Sequence, residues 1–236
     1  MESALAWMTE RIERARTDGD GQTAQIVTLN AEIALAARHN MSLRRAIAGA
    51  ALVVPDGAGV VWAGGLRARV TGVDLLEAFA GVAAAHGYRL YLLGGAPGVA
   101  EVAAARLVAR HRGLVVASSA RGTPDIAERA TQAARIRDAR ADVVFVAFGS
   151  PAQELWIADA RGALGAAVAI GAGGALDFVA GRVPRAPVWL RRHGLEWLYR
   201  LARQPWRWRR MLALPRFVVA VWAERLGQRR ADEARE

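Results

Sequence analysis

The chain has 236 residues, of which 53% are hydrophobic and 23% are charged, and this composition excludes a disordered or fibrous protein. It contains no cysteine, so disulfides, thiolate nucleophiles and cysteine-based zinc sites are excluded. All 32 basic residues are arginine, which also excludes a lysine Schiff base and the lysine of a P-loop. We therefore expect arginine side chains, backbone N–H groups or hydroxyls to hold any phosphate that the protein binds.

Apolar runs typical of buried strands alternate along the chain with segments typical of helices. The strand-like runs cover residues 24–29, 51–54, 88–94, 114–118, 142–149 and 166–171. Helices are predicted between some of them, over residues 74–85, 99–110 and 123–139. This alternation predicts the α/β fold class, with a Rossmann-like, doubly wound and mostly parallel sheet sandwiched by helices. Such sheets bind ligands at the carboxyl ends of their strands, so we expect the functional residues there.

The basic residues concentrate near the C-terminus. Residues 1–181 hold 18 Arg against 17 acidic residues, whereas residues 182–236 hold 14 Arg against 5 acidic residues and five of the eight tryptophans. This composition is typical of a helix at a lipid headgroup boundary, and also of a basic groove that stacks nucleic-acid bases. We divide the chain into three parts: an N-terminal helix and linker (1–22), an α/β catalytic domain (23–183) and a helical, membrane-associating appendage (184–236).

No targeting or membrane-spanning segment is predicted. The first twenty residues mix both charge signs and lack the apolar core of a secretory signal. The most apolar stretch, residues 162–181, contains Asp177 and several glycines, which favours a buried strand and a tight loop over a membrane span. We expect a cytoplasmic protein that is peripheral on the inner face of the plasma membrane.

Polar residues and glycines follow several of the predicted strands, and each has two interpretations. Asp56 follows the second strand, where an aspartate serves either as a turn former and helix cap or as a catalytic group. The glycine-rich segment 94–98 is either a plain turn or a phosphate site. Glu154 opens a helix, where an acidic residue commonly complements the helix dipole. The compact G-x-G-x-x-G fingerprint is absent after the first strand, which argues against a dinucleotide-dependent oxidoreductase.

The sequence offers no convincing metal site. Asp18-Gly19-Asp20 has the spacing of a D-x-D signature, but it lies in a linker before the first strand and is better explained as a solvated turn. The four histidines show no metal-ligand spacing. We therefore expect no metal and no cofactor.

Eight short motifs occur in order between about residues 24 and 216. They are Thr28-x-Asn30, Pro55-Asp56-Gly57, Arg69-Val70-Thr71-Gly72-x-Asp74, Gly94-x-x-Pro97-Gly98-Val99-Ala100-Glu101, Gly149-x-Pro151-x-Gln153-Glu154-x-Trp156, Gly171-x-Gly173-Gly174-x-x-Asp177, Arg185-Ala186-Pro187-x-Trp189 and Gly194-Leu195-Glu196-Trp197-x-Tyr199-Arg200. Together they resemble the WecG/TagA/CpsF family of bacterial glycosyltransferases, glycosyltransferase family 26. Residues 217–236 match none of these motifs.

The resemblance implies an inverting, metal-independent transferase that moves a sugar from a UDP-sugar to a polyprenyl-diphosphate-linked sugar at an anionic membrane surface. Relatives use N-acetylmannosamine or its uronic acid in teichoic acid or surface polysaccharide synthesis, and glucose or glucuronic acid is the alternative donor sugar here. A nucleic-acid-binding protein that uses the basic tail is the alternative function. The resemblance implies no nucleic-acid partner and leaves the presence of a homo-oligomer open.

Site residues are carried over by position in the motifs. Asp56 matches the family's catalytic base, and Arg200, Arg207 and Arg210 match appendage arginines that would stabilise the departing diphosphate. The substrate-binding residues implied in the same way are Thr28, Asn30, Gly57, Arg69, Thr71, Asp74, Gly94, Gly95, Pro97, Gly149, Pro151, Gln153, Glu154, Gly171, Gly173 and Gly174.

Overall fold

A six-stranded sheet forms the centre of the protein. The computed structural model describes residues 1–19, 22–205 and 208–233. The strands are β1 (Ala24–Leu29), β2 (Leu52–Pro55), β3 (Arg89–Gly94), β4 (Val115–Ala120), β5 (Val143–Ala147) and β6 (Val168–Gly171). They lie in the order β2-β1-β6-β5-β3-β4, and every neighbouring pair is parallel. The predicted α/β, Rossmann-like fold is therefore confirmed.

Helices connect the strands and continue into the C-terminal region. Those in the first half of the chain are α1 (Glu2–Asp18), α2 (Ala31–His39), α3 (Met41–Ala48), α4 (Ala58–Ala63), α5 (Gly72–His86) and α6 (Val99–Arg110). The others are α7 (Ile126–Asp138), α8 (Ala152–Ala160), α9 (Ala175–Val179), α10 (Val188–Arg192), α11 (Glu196–Arg203), α12 (Trp208–Met211) and α13 (Ala213–Glu233).

The sheet has a hydrophobic core on each face, because successive side chains of a strand point to opposite sides. In β5, Phe145 belongs to the core beneath α1, α5, α6 and α9, whereas Val144 and Val146 belong to the core beneath α7 and α8. Tyr91 and Leu92 of β3 divide between the two cores in the same way. The continuous apolar runs in the sequence reflect strands that are covered on both faces.

Helix α1 packs directly on the sheet layer. Met8 and Ile12 are fully buried in the larger core. The Arg16 guanidinium donates to both carboxylate oxygens of Asp142, at 3.0 and 2.9 Å, and the Tyr88 hydroxyl donates to Glu13 at 2.5 Å. This N-terminal helix is therefore held by apolar burial and by charge-assisted hydrogen bonds.

The last helix of the chain returns to the α/β body rather than extending away from it. Helix α13 packs against α2 and α4. Its Phe217 is buried, and the Phe217 ring lies against α4 at Gly59, where an added methyl group would be 3.5 Å from the ring, an ordinary van der Waals contact. Within the described part of the chain, no helix is both long enough and apolar enough to cross a membrane.

Candidate functional site

A pocket of about 480 Å³ opens at the carboxyl ends of β1, β2, β5 and β6. Ten of the residues predicted for the site lie in its wall: Thr28, Asn30, Asp56, Gly57, Arg69, Thr71, Gly149, Gln153, Gly173 and Gly174. The parallel topology explains the convergence, because all of these strand ends meet at one edge of the sheet. Seven other predicted residues lie outside the wall: Asp74, Gly94, Gly95, Pro97, Pro151, Glu154 and Gly171.

Asp56 lies between the end of β2 and the start of α4. Its backbone N–H donates to the Leu29 carbonyl at 2.8 Å, which extends the pairing of β2 with β1 by one residue and fixes Asp56 beside the end of β1. Gly57 is the N-cap residue of α4, and a methyl group added there would come within 3.3 Å of the Asn30 side chain. The side chain of Asp56 is half-buried in the pocket wall, where a carboxylate can reach a bound ligand.

Asn30 caps the helix that follows β1. Its Oδ1 accepts a hydrogen bond of 3.0 Å from the Ile33 N–H, the usual geometry of an asparagine N-cap. The amide nitrogen takes no part in the cap and is a donor that Asn30 can offer to a ligand in the pocket.

Thr28, Gly171 and Gln153 form a contiguous polar layer at the base of the pocket. The Thr28 hydroxyl donates to the Gly171 carbonyl at 3.0 Å. A methyl group added at Gly171 would lie only 2.7 Å from the Gln153 amide nitrogen, so this position accepts nothing larger than glycine without movement. The Gln153 oxygen in turn accepts from the Gly173 N–H at 3.0 Å, which joins the start of α8 to the loop after β6.

Glu154 does not face solvent, as an acidic residue in the first turn of a helix commonly does. It has no solvent exposure, and its carboxylate accepts a hydrogen bond of 2.8 Å from the side chain of Gln153. Burial raises the pKa of the Glu154 carboxyl, and the hydrogen bond from Gln153 offsets only part of that rise.

The glycines after β3 serve close packing of the backbone. Gly94 has a φ of 103°, and a methyl group there would lie 2.7 Å from the Ala147 carbonyl oxygen. The Gly95 N–H donates to the same carbonyl at 3.0 Å. These contacts account for Gly94 and Gly95 as a tight turn, and substrate binding by segment 94–98 stays a prediction.

A polar cluster beside the pocket joins α5 to the appendage. Thr71 caps α5 and also donates to the Asp74 carboxylate at 2.6 Å, and Arg185 donates to the same carboxylate at 2.7 Å. Burial alone would raise the pKa of Asp74, but the hydrogen bonds from Arg185 and Thr71 and the charges of Arg185 and Arg191 outweigh it, so the pKa is lowered. Asp74 is thus ionised at neutral pH and holds the two arginines.

Arg69 makes a second connection to the appendage from the pocket wall. Its guanidinium donates to the Arg191 carbonyl at 3.0 Å and to the Glu196 carboxylate at 3.3 Å. Both partners of the Arg69–Glu196 pair are mostly buried, with side-chain exposures of 22% and 13%. The pair is therefore less screened than an ordinary surface salt bridge.

The appendage also forms part of the wall. Trp197 of α11, Met211 of α12 and Leu214 of α13 line the pocket. Of the predicted catalytic arginines, Arg200 lies in α11 and Arg210 lies in α12, and Arg207 lies outside the described residues. In the same described part of the chain, no three histidine or acidic side chains lie close enough together to hold a metal ion.

Comparison with known proteins agrees with this geometry. A model of the glycosyl transferase WecG/TagA/CpsF family matches residues 1–231. The chain belongs to this family. Similar curated proteins are two N-acetylglucosaminyldiphosphoundecaprenol N-acetyl-beta-D-mannosaminyltransferases. That of Bacillus subtilis is 35% identical over 206 residues, which cover 85% of this chain and 80% of the relative. That of Bacillus spizizenii is 34% identical over 226 residues, which cover 94% and 87%.

The family match extends further than the motifs did. The motifs indicated a resemblance from about residue 24 to about residue 216, whereas the family model also covers α1 and nearly all of α13. Both added segments pack against the body, through Met8 and Phe217 for example. The recognition of the family and the prediction of glycosyltransferase activity are confirmed, and the nucleic-acid-binding alternative is not favoured.

Sequence reasoning missed the side-chain connections between the body and the appendage. Arg185 and Glu196 were part of recognised motifs, but their partners Asp74 and Arg69 lie 111 and 127 residues away along the chain. Nothing in the local sequence indicates such pairs. The only available signal was that all four residues belong to motifs of one family.

Proposed function

We propose that this glycosyltransferase moves N-acetylmannosamine from a UDP-sugar to N-acetylglucosaminyl-diphosphoundecaprenol, with inversion at the anomeric carbon and without a metal ion. The observation that carries the proposal is the position of Asp56, a half-buried carboxylate in the wall of a pocket formed by strand ends. The names of the two relatives supply the acceptor and the transferred sugar. These names favour N-acetylmannosamine over its uronic acid, glucose or glucuronic acid.

In the proposed reaction, Asp56 acts as the general base. Its carboxylate takes the proton from a hydroxyl of the acceptor sugar while that oxygen forms a bond to the anomeric carbon of the donor. The bond between the anomeric carbon and the diphosphate oxygen breaks, and its electron pair leaves with UDP. A single displacement of this kind needs one base and inverts the configuration, whereas retention by double displacement needs a separate nucleophile.

The departing diphosphate requires positive charge, which we assign to the arginines of the appendage. Arg200 lies in the same helix as Trp197, and Arg210 precedes Met211, so both arginines belong to segments that border the pocket. Guanidinium groups bind diphosphate oxygens through paired N–H donors, which removes the need for a metal ion as counter-charge.

We place the enzyme on the inner face of the plasma membrane, held there by the appendage. Trp189, Trp208 and Trp222 are all more than half exposed, and Val219 and Leu226 extend the apolar surface along α13. Exposed tryptophan among arginines is the composition that partitions to a lipid headgroup region. This placement puts the pocket, whose wall the same helices form, close to a lipid-linked acceptor.

The Asp56→Asn variant tests the central assignment. We expect turnover, followed as UDP release, to fall about 100-fold or more because the general base is lost, while UDP affinity measured by calorimetry stays near that of the wild type. Asp159→Asn is the matched control, since Asp159 is an exposed aspartate on α8 whose ion pair with Arg129 contributes little. A folded Asp56→Asn protein with nearly wild-type turnover would contradict the assignment.

The donor, the stereochemistry and the metal requirement are tested in one assay series. UDP-N-acetylmannosamine, its uronic acid, UDP-glucose and UDP-glucuronic acid are each supplied with the lipid-linked acceptor, with and without excess EDTA. We expect the first donor to give the fastest UDP release, EDTA to leave the rate unchanged, and NMR of the product to show a β-linkage formed from the α-linked donor. Retention, or activity that returns only with added metal, would refute those parts of the proposal.

A further inference from the structure

Gln153 and Glu154 form a buried pair at the start of α8. Their exposures are 2% and 0%, although both are polar residues in the first turn of a helix next to an open pocket. Gln153 lines the pocket, whereas Glu154 lies behind it and does not reach the wall. A fully buried carboxyl group is costly to desolvate, and no arginine pairs with Glu154 among the described residues.

The amide of Gln153 is held at both ends. Its Oε1 accepts from the Gly173 N–H at 3.0 Å, and its Nε2 donates to Glu154 Oε1 at 2.8 Å. A backbone N–H can only donate. Glu154 Oε1 accepts from Nε2 when the carboxyl is ionised, and also when it is protonated on Oε2. These two partners therefore allow a single orientation of the Gln153 amide.

The surroundings of Glu154 keep this pair in place. Gln25 of β1 donates from its side chain to the Glu154 backbone carbonyl at 2.9 Å, which ties the first turn of α8 to the sheet. Gly171 leaves the space that the pair occupies, since a methyl group there would come within 3.0 Å of Glu154 Oε1. Glu154 Oε2 has no hydrogen-bond partner in the described part of the chain. The carboxyl therefore holds Gln153 through Oε1, and the side chain of Ser150, which also lines the pocket, acts on the same carboxyl and lowers its pKa.

We propose that Glu154 is a positioning residue, which fixes the Gln153 amide so that Nε2 keeps one N–H as the donor available to the substrate in the pocket. Glu154 does not touch the substrate, and its effect passes through Gln153. Without the carboxyl, only the Gly173 N–H holds the amide, and no partner fixes the direction of Nε2, so the N–H that faces the pocket is less well placed for the diphosphate oxygens of the substrate. This inference rests on the proposed function for its kinetic test.

A double-mutant cycle separates positioning from a merely structural role. The four proteins are the wild type, Glu154→Leu, Gln153→Ala and the double variant, each assayed for kcat/KM toward the donor per folded molecule. We expect Glu154→Leu to lower kcat/KM about tenfold in the wild type and by less than about twofold when Gln153 is already alanine. Glu154→Gln, whose amide oxygen can still accept from Gln153, should retain most of the activity.

The matched control is Gln132→Leu. Gln132 is also a buried glutamine held at both ends, by the backbone N–H and carbonyl of Thr123, but it lies on α7 and does not line the pocket. We expect it to lower stability without changing kcat/KM per folded molecule. Equal losses from Glu154→Leu in both Gln153 backgrounds, or no loss in a folded Glu154→Leu protein, would overturn the proposal.

A spectroscopic readout keeps the test independent of the reaction. The side-chain amide of Gln153, assigned by the signals that disappear in Gln153→Ala, should show one Nε2 proton protected from exchange in the wild type and none in Glu154→Leu. Two rapidly exchanging protons in the wild type would refute the hydrogen bond on which the inference depends. A wild type that shows this protection but transfers no sugar would refute the proposed function and leave the positioning of Gln153 intact.

Discussion

Gly171 supplies a quantitative test of how tightly the base of the pocket is packed. A methyl group at this position would lie 2.7 Å from the Gln153 amide nitrogen and 3.0 Å from Glu154 Oε1, distances at which one side must move. Both neighbours are buried and hydrogen-bonded, so neither can swing into solvent. We therefore expect Gly171→Ala to lower the free energy of unfolding by about 1–3 kcal/mol, the usual cost of overpacking a buried site.

For a chain of this length, each kcal/mol corresponds to about 2–4 °C in the midpoint of thermal unfolding, so the expected decrease is about 2–12 °C. Circular dichroism measures the midpoint, and UDP release measures turnover in the same preparation. Turnover per folded molecule should also fall, because the Gln153 amide is displaced. The effect should not depend on the sugar donor offered, since the displaced group belongs to the pocket wall itself.

Gly162→Ala is the matched control for Gly171→Ala. A methyl group at Gly162 meets no atom within 4 Å, and its φ lies outside the left-handed region. We expect this substitution to leave stability unchanged or to raise it by up to about 1 kcal/mol through the unfolded state. If Gly171→Ala unfolded at the same temperature as Gly162→Ala and turned over at the wild-type rate, the reasoning about the packed polar layer would be wrong.

Three further predictions concern the appendage. Glu196→Ala should lower the free energy of unfolding by about 1–3 kcal/mol because the Arg69 guanidinium loses a mostly buried partner, as chemical denaturation would measure. The pKa of Asp74 is below its ordinary value of 3.8, so the ionised Asp74 stabilises the folded protein at neutral pH. This contribution is lost as the pH falls through and below 3.8. The difference in unfolding free energy between the wild type and Asp74→Asn should therefore shrink in acid. Replacing Val219 and Trp222 by serine should weaken sedimentation with anionic liposomes more than it lowers thermal stability, because both side chains are exposed.

The strands could be predicted from the sequence because they are buried on both faces. The run at residues 142–149 contains β5 at Val143–Ala147, and the pairing with β3 ends at Ala147, opposite Gly94. The run at residues 114–118 was too short, since β4 continues to Ala120 through Ser119, which pairs with Leu92. A polar residue on an edge strand gives no hydrophobic signal, so the end of this strand was not visible in the sequence.

Helix ends show a similar division between local and tertiary information. The helix predicted over 123–139 begins at Ile126, because Asp125 accepts a hydrogen bond from the Ala127 N–H and serves as the N-cap. Capping is a local effect, so this helix start could be predicted from the sequence. The short helix α4, by contrast, has a glycine at each end, Gly57 and Gly64, and packs against Phe217 of the appendage, and no local pattern indicates it.

The site was predictable as far as topology alone determines it. Thr28, Asp56 and Gln153 lie at or shortly after the ends of three different strands, and a parallel sheet necessarily brings such ends to one edge. The role of Glu154 could not be predicted in this way, because an acidic residue in the first turn of a helix has the same sequence signature whether it faces solvent or is buried. Its burial depends on Gly171 and Gln25, which belong to other strands.

The contacts of Arg69 give a physical reason why membrane docking and catalysis should be coupled in this enzyme. Arg69 lines the pocket and at the same time holds the appendage through the Arg191 carbonyl and the Glu196 carboxylate. A displacement of α11 relative to the body would therefore break these hydrogen bonds and move a cationic group of the pocket wall. Because exposed tryptophans of the same appendage are the proposed membrane anchor, the lipid surface that brings the acceptor would also stabilise the arrangement in which the wall is complete.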